Sequence, residues 1–264
     1  MRGDGTPPAV RVHQLTRPRL AMALHDEIRA WWDEDAATYD DSTTHRPRRP
    51  AERAAWSAAL AGLLPAPPSR VLDCGAGTGF LSLIAARLGH QVTAVDLSGR
   101  MLAKLHDAAA EEGLAITTVE GPADGAPAGH YDVVMERHLL WTLPDPEAAL
   151  VAWRTAVAAG GRLISVGHMR EAPGRAQVRG WLHRWQGRAP DHHGEYPRTI
   201  VAALPLVTAS MDPSVSVEIV LRAGWPAPRL ERLRDVEWAE RLSVPRGERL
   251  LGVPPRYAVV AVDP

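Results

Sequence analysis

Between residues 69 and 168, short apolar runs alternate with helical patterns, and this alternation restricts the fold more than any other feature. The apolar runs at 69–74, 91–97, 114–121, 129–138 and 162–168 predict five strands. Between the first two, apolar residues at positions 81, 84, 85 and 88 have the spacing of one helix face. Strands that alternate with helices form right-handed βαβ units. We therefore predict an α/β fold with a doubly wound, mostly parallel sheet.

Turn and capping residues suggest how the helix before the fifth strand begins and ends. Asp145 followed by Pro146 is typical of an N-cap and a first helical position. The helix is expected to run to residue 159, because Gly160 and Gly161 follow it.

The segments that flank the alternating region differ from it in pattern. Residues 169–212 are rich in Arg, Trp and His without clear periodicity, whereas 213–224 is helical and 227–233 and 256–262 read as strands. We predict a mobile tail at 1–18, an N-terminal helical lid at 19–66, the core at 67–168, an inserted cap at 169–212, and a closing helix and strands at 213–264.

Composition excludes several classes of protein. The 264 residues carry 30 basic and 31 acidic side chains, so no global field favours a nucleic acid. All basic residues but Lys104 are arginine, a bias that a GC-rich bacterial genome explains. The single cysteine, Cys74, excludes a disulfide framework or a Cys-rich metal site. No membrane-spanning apolar run or signal peptide is recognisable, so we predict a cytoplasmic protein without a membrane partner.

The sharpest local motif is a glycine loop at Gly75, Gly77 and Gly79, placed between the first strand and the next helix. Glycine there allows a tight turn and a close approach of the backbone to a ligand. Enzymes that bind dinucleotides use a related loop, but their third glycine comes one residue later.

Two carboxylates help to separate the candidate ligands. Asp73 lies two residues before the first glycine, where it would repel a pyrophosphate but suit the ammonium and sulfonium groups of S-adenosylmethionine. Asp96 ends the second strand and could accept hydrogen bonds from a ribose diol, which both NAD and S-adenosylmethionine carry.

At these motifs the chain resembles class I S-adenosylmethionine-dependent methyltransferases of the UbiE-like small-molecule group. The resemblance rests on VLDCGAGTGFLSL, VTAVDLSGRML, YDVVMERHLLWTLPDPEAAL and AAGGRLISV, and it extends from about residue 30 to 168. WDEDAATYD at 32–40 resembles the N-terminal lid of that group. The resemblance implies a Rossmann-like fold with seven strands, the last antiparallel, and S-adenosyl-L-methionine as cofactor.

The resemblance also implies roles for individual residues. Asp73 would lie near the cofactor's amino group, Asp96 at the ribose, and Leu97 with Met101 at the adenine. The complete set of implied cofactor-binding residues is Tyr39, Asp73, Gly75, Gly77, Thr78, Gly79, Asp96, Leu97, Met101, Ala123, Asp124 and Arg137. The chain departs from the group at Pro122, where an acid is usual, at Glu136-Arg137-His138 after the fourth strand, and at Ala159 in place of proline.

Methyl transfer depends mainly on alignment of donor and acceptor, and a base is needed only where the acceptor atom carries a proton. His138 is the candidate base, because it follows the fourth strand at the edge where ligands collect. The alternative is that His138 only packs against the cofactor. We predict no metal site, because His192 and His193 have no carboxylate at matched spacing.

Aromatic residues suggest an acceptor pocket. Trp181 and Trp185 are four residues apart and would share one helix face, either as a substrate wall or as the cap's own core. The residues predicted to contact the acceptor are Trp31, Trp141, His168, Trp181, Trp185 and Tyr196.

The sequence therefore predicts a methyltransferase acting on oxygen or nitrogen, and less favourably carbon, of a small specialised metabolite. A dinucleotide-dependent oxidoreductase and a catalytically silent cofactor-binding partner protein remain alternatives. A homodimer is compatible with the sequence.

Overall fold

The computed structural model describes residues 17–42, 45–125, 127, 129–185, 196–207 and 212–264. Most of the predicted N-terminal tail, parts of the predicted cap at 186–195 and 208–211, and with them His192 and His193, lie outside the described residues.

A seven-stranded sheet forms the centre of the described structure, as predicted. Its order is β3-β2-β1-β4-β5-β7-β6, with β7 antiparallel to both of its neighbours and the remaining pairs parallel. The strands are β1 Arg70–Cys74, β2 Gln91–Asp96, β3 Ile116–Glu120, β4 Tyr131–Arg137, β5 Val157–His168, β6 Arg229–Arg232 and β7 Arg256–Val262. The order reverses between β1 and β4, so the carboxyl ends of those strands border a crevice.

Helices cover both faces of the sheet. They are α1 Arg17–Asp35, α2 Pro50–Leu63, α3 Phe80–Arg87, α4 Gly99–Glu111, α5 Pro146–Ala156, α6 Pro173–Trp185, α7 Arg198–Ala203, α8 Pro213–Arg222 and α9 Arg234–Ser243. Short 3-10 turns occur at Tyr39–Asp41, Leu140–Thr142 and Arg249–Leu251.

Several of these elements differ from the sequence prediction, which gave no helix for α6, α7 or α9. Helix α5 ends at Ala156 and not at residue 159, because Val157 already pairs with Tyr131 as the first residue of β5. Gly160 then donates its N–H to the carbonyl of Asp263 inside the sheet, so the glycines interrupt a strand and do not terminate a helix. Helix α9 was not predicted.

Alternate residues of the strands build a core on each face. In β1, Leu72 belongs to the cluster under α5 and α8, which includes the buried rings of Trp153 and Trp225. Its neighbour Val71 belongs to the opposite cluster, which includes Trp56 of α2 and residues of α3 and α9. The Nε1–H of Trp153 donates to the carbonyl of Ala123 at 2.7 Å, which fixes the loop after β3. No described helix is long and apolar enough to cross a membrane.

Candidate active site

One cavity of about 560 Å³ lies at the edge where the carboxyl ends of β1, β2, β4 and β5 meet. Its volume falls within the range of roughly 300–1,000 Å³ that is usual for small-molecule sites. Most of the sequence-predicted site residues line it: Trp31, Tyr39, Gly75, Gly77, Asp96, Leu97, Met101, Ala123, Asp124, Arg137, His138, Trp141, His168 and Tyr196. Their functional roles stay predictions, but the fold brings them to one place.

The glycine loop has the backbone that its sequence predicts. Gly75, Gly77 and Gly79 all have positive φ, at 63°, 55° and 91°. A Cβ at Gly75 would lie 2.6 Å from Leu139 Cδ1, and one at Gly79 would lie 2.1 Å from Leu105 Cδ1. A Cβ at Gly77 would meet nothing within 4 Å, although Gly77 lines the cavity. Gly75 and Gly79 are therefore required for packing, and Gly77 leaves room for a ligand.

Asp96 connects this loop to the next one. Its carboxylate accepts a 2.8 Å hydrogen bond from the N–H of Gly77 and another of 2.8 Å from the N–H of Ser98. Burial raises the pKa of Asp96 to about 6, although the backbone donors oppose that shift. The carboxylate is thus held in position, at the point where a ribose diol was predicted to bind.

Asp73 lies behind the glycine loop and not among the residues that line the cavity in the described structure. It is almost completely buried and accepts a 2.6 Å hydrogen bond from the hydroxyl of Ser82. Burial raises its pKa to about 7. Asp73 therefore supports the loop from beneath, and its place near the cofactor's amino group stays a prediction.

The lid contacts the glycine loop through Thr78. Neither Thr78 nor Gly79 lines the cavity. The hydroxyl of Thr78 donates to Asp40 at 2.7 Å, and the guanidinium of Arg46 donates to the Thr78 carbonyl at 3.0 Å. Arg46 also pairs with Asp40 at 3.2 Å. Next to this cluster, the ring of Tyr39 stacks on His45 with centroids 3.9 Å apart, and burial raises the pKa of Tyr39 to about 12.

Two imidazoles face each other at the ends of β4 and β5. The ring centroids of His138 and His168 are 4.8 Å apart, and His138 has a φ of 61° that turns the chain sharply after β4. Burial, reinforced by the positive charge of Arg137, lowers the pKa of His138 well below its ordinary value. Burial and the charges of Arg256 and Arg137 lower that of His168 to about 4. Both imidazoles are therefore neutral at physiological pH.

Arg137 and Glu136 end β4 with their side chains in different surroundings. The Arg137 guanidinium lies 3.9 Å from the ring centroid of Phe80, a cation–π contact. Burial lowers its pKa to about 10. The Glu136 carboxyl accepts hydrogen bonds from the Ser165 hydroxyl and from the Leu139 N–H, the latter at 2.8 Å, and burial raises its pKa to about 7.

The aromatic wall of the cavity differs from the predicted one. The ring of Tyr196 lies 4.4 Å from Trp31 and 5.7 Å from Trp141, measured between centroids. Trp181 and Trp185 stack on each other along α6, but they are 59% and 74% exposed and do not line the cavity. That these two residues form a substrate wall stays a prediction, which their exposure does not support.

Sequence reasoning missed several residues of the site, above all Arg256 and His45. Arg256 begins β7 and pairs in register with His168 at the end of β5. Because β7 is antiparallel, its first residue reaches the edge at which the parallel strands end. That placement follows from strand order, which no local pattern reveals. His45 lies in a loop without periodicity, and no sequence signal marks it.

Comparison with known proteins agrees with this geometry. Residues 72–165 match a family model described as a methyltransferase domain. Over this stretch, which is about a third of the sequence, the chain is similar to methyltransferase domains. This similarity favours a methyltransferase over a dinucleotide-dependent oxidoreductase.

Relatives of the methyltransferase domain include a ubiquinone biosynthesis O-methyltransferase of Xanthomonas campestris, 34% identical over 143 residues. That match covers 51% of this chain and 54% of the relative, so the chain spans about half the length of the curated relatives it matches.

Two solved structures extend the likeness in fold beyond the methyltransferase domain model. An S-adenosylmethionine-dependent methyltransferase of Mesorhizobium loti has a TM-score of 0.53 at 22% identity, covering 80% of this chain and 99% of that one. The DhpI complex with S-adenosylhomocysteine (SAH) has a TM-score of 0.58 at 20% identity, covering 92% and 98%.

The chemistry of the cavity lining fits the predicted cofactor, S-adenosylmethionine. The open space beside Gly77 and the fixed carboxylate of Asp96 suit a ribose, and Leu97 and Met101 offer apolar surface beside it. In the described part of the chain no group of His, Cys, Asp or Glu side chains could hold a metal ion.

Proposed function

We propose that this protein transfers a methyl group from S-adenosylmethionine to oxygen or nitrogen of a small, specialised-metabolite acceptor in the cytoplasm, with carbon as a less favoured atom. The supporting observation is one continuous cavity with Asp96 and the glycine loop on one side and the pair of neutral imidazoles on the other. The O-methyltransferase name of the Xanthomonas relative favours oxygen.

The residues of this chain would act mainly by positioning. When bound, S-adenosylmethionine supplies an electrophilic methyl group. Asp96 and the glycine loop would orient the cofactor, while the aromatic wall excludes water and aligns the acceptor, which is where most of the rate enhancement of such reactions arises. His138 is neutral and could accept a proton from a hydroxyl at its ring nitrogen, a contribution of about 10²–10⁴-fold.

Calorimetry with SAH and NAD tests the cofactor, and transfer of a labelled methyl group to a metabolite extract tests turnover. We expect binding of SAH, no binding of NAD, and label in a small-molecule product. Binding of NAD alone would contradict the proposal. Binding of SAH with no turnover on any acceptor would favour the catalytically silent partner protein instead. A homodimer stays a prediction.

A further inference from the structure

The two sides of the cavity carry opposite charge. In the described structure, the acidic residues that line it are Asp96 and Asp124, both on the side of β2 and the loop after β3. The arginines that line it are Arg137 and Arg256, at the end of β4 and the start of β7. The acidic side suits the sulfonium and hydroxyl groups of the cofactor. Arg137 belongs to the residues predicted to bind the cofactor, whose amino-acid part carries a carboxylate, so Arg256 is the arginine left for the acceptor.

The basic side is built from paired positions on neighbouring strands. His168 and Arg256 are direct register partners, so their side chains share one face of the sheet. Arg256 is 5% exposed and is held by Glu240 at 2.9 Å from its Nε, which fixes the plane of its guanidinium. A guanidinium fixed in this way is a ready partner for a planar anion.

His168 shows an unmet hydrogen-bonding requirement at the same place. Its Nδ1 is buried and has no hydrogen-bond partner among the described residues, although the side chain lines the cavity. Buried polar atoms are nearly always satisfied in folded proteins, so a bound ligand is the natural partner. The two arginines also repel one another, since each lowers the pKa of the groups around it. An anion between these side chains would relieve that repulsion.

Aromatic rings define the rest of the acceptor's surroundings. Trp31, Trp141 and Tyr196 form an apolar wall in the same cavity. The volume of about 560 Å³ must hold both cofactor and acceptor, which restricts the acceptor to a small molecule.

We propose that the acceptor is a small aromatic carboxylate, bound with its carboxylate against Arg256 and His168 and its ring against Trp31, Trp141 and Tyr196. The hydroxyl to be methylated then lies near His138, whose ring is 4.8 Å from that of His168. This inference rests on the proposed function, because it assigns the acceptor side of the same site.

The test compares a dihydroxybenzoate with the matching dihydroxybenzamide, together with further hydroxybenzoate and hydroxybenzamide pairs. Binding to the protein saturated with SAH is measured by calorimetry or by quenching of tryptophan fluorescence. At least one carboxylate is expected to bind about tenfold to a hundredfold more tightly than its neutral amide, as is usual for a charge-assisted hydrogen-bonded pair.

Variants identify the residues that hold the anion. In His168→Phe and in Arg256→Gln, the ratio of carboxylate affinity to amide affinity should fall towards one. The Arg256→Lys variant should retain part of the preference for the carboxylate. Arg229→Gln is the matched control, because it removes one arginine from the exposed β6 beside β7 and should leave the preference unchanged. Arg256 also binds Glu240, and the Arg256→Gln variant loses that contact. If this variant misfolds, the His168→Phe variant decides the result.

The outcomes separate this inference from the function on which it rests. If SAH does not bind to the unmodified protein, the proposed function fails. If SAH binds but no carboxylate binds more tightly than its amide, the proposed function stands and the anion site is wrong. Survival of the preference in both His168→Phe and Arg256→Gln would also overturn it, because the anion would then lie elsewhere.

Discussion

At the residue scale, Asp96 combines a structural task with the predicted binding task. It accepts hydrogen bonds from the N–H groups of Gly77 and Ser98 and so fixes the ends of two loops. Burial raises its pKa to about 6, so the carboxyl becomes protonated in mildly acidic solution. A sequence can indicate this residue because an acid at the end of the strand after a glycine loop is a local pattern.

Replacement of Asp96 by Asn should weaken SAH binding about tenfold to a hundredfold, because the ribose loses a charged acceptor. In the unmodified protein the affinity should also decrease as the pH falls through about 6, since the protonated carboxyl is a poor acceptor for hydroxyl donors. Calorimetry across this range measures both effects. Glu120→Gln is the control, because Glu120 is the exposed register partner of Asp96 on β3. An equal loss in that variant would mean that general charge, and not this site, determines affinity.

Replacement of His138 by Asn tests the base. Asn tolerates the positive φ at this position, so the variant removes the imidazole with little backbone strain. We expect kcat to fall about 10²–10⁴-fold with SAH affinity nearly unchanged. A loss confined to SAH affinity would instead make His138 a residue that packs against the cofactor.

At the element scale, the glycine loop contains positions with different constraints. Gly79→Ala should destabilise the fold most, because its Cβ would collide with Leu105 at 2.1 Å. Gly77→Ala should cost only about 1 kcal/mol through its positive φ, yet weaken SAH binding because the methyl group would project into open space at the cavity. Thermal unfolding and calorimetry on both variants separate the two effects, and a Gly77→Ala variant with normal affinity would place the cofactor elsewhere.

The lid is attached to the glycine loop at a small polar cluster. Asp40→Ala removes the acceptor of Thr78 and the partner of Arg46, so hydrogen exchange in residues 22–42 should accelerate and SAH should dissociate faster. Asp26→Ala is the control, because Asp26 lies on the same lid in an exposed pair with Arg29. Equal acceleration in both variants would show that the cluster does not hold the lid.

Several elements could not be read from local pattern. The sequence places a helix stop at Gly160 and Gly161, but pairing with β4 and β7 draws residues 157–161 into the sheet. The strand assignment there depends on long-range hydrogen bonds and not on helix propensity. Helix α6 was not predicted, although the spacing of Trp181 and Trp185 suits one helix face, and only the packing decides that both rings face outwards.

At the scale of the whole molecule, two buried carboxyls couple stability to pH. Asp73 and Glu136 lie on adjacent strands with pKa values raised by burial to about 7, from 3.8 and 4.5. The folded state therefore binds more protons than the unfolded state between about pH 4 and 7. Their stabilising effect is complete below the unfolded values and is lost as the pH rises through about 7.

We expect a lower Tm at pH 8 than at pH 5. The unfolding free energy should fall by about 3 kcal/mol for each carboxyl, because about two pH units of this interval lie below the folded pKa of about 7. Asp73→Asn should flatten the profile, because the amide cannot ionise. Asp107→Asn, on the exposed face of α4, should leave it unchanged. Thermal unfolding at several pH values measures the three profiles, and a profile unaffected by Asp73→Asn would contradict the coupling.

The sequence by itself determined the sheet, the glycine loop and the place of Asp96 beside it, because strand alternation, the loop and the strand-end acid are all short-range patterns set by backbone geometry. Only the tertiary structure brought Arg256 beside His168. Arg256 comes from the antiparallel strand about 90 residues after His168, and strand pairing alone makes them neighbours. The tertiary structure also placed Asp73 behind the loop and Trp181 and Trp185 in solvent, since the direction of a side chain depends on what packs around its element.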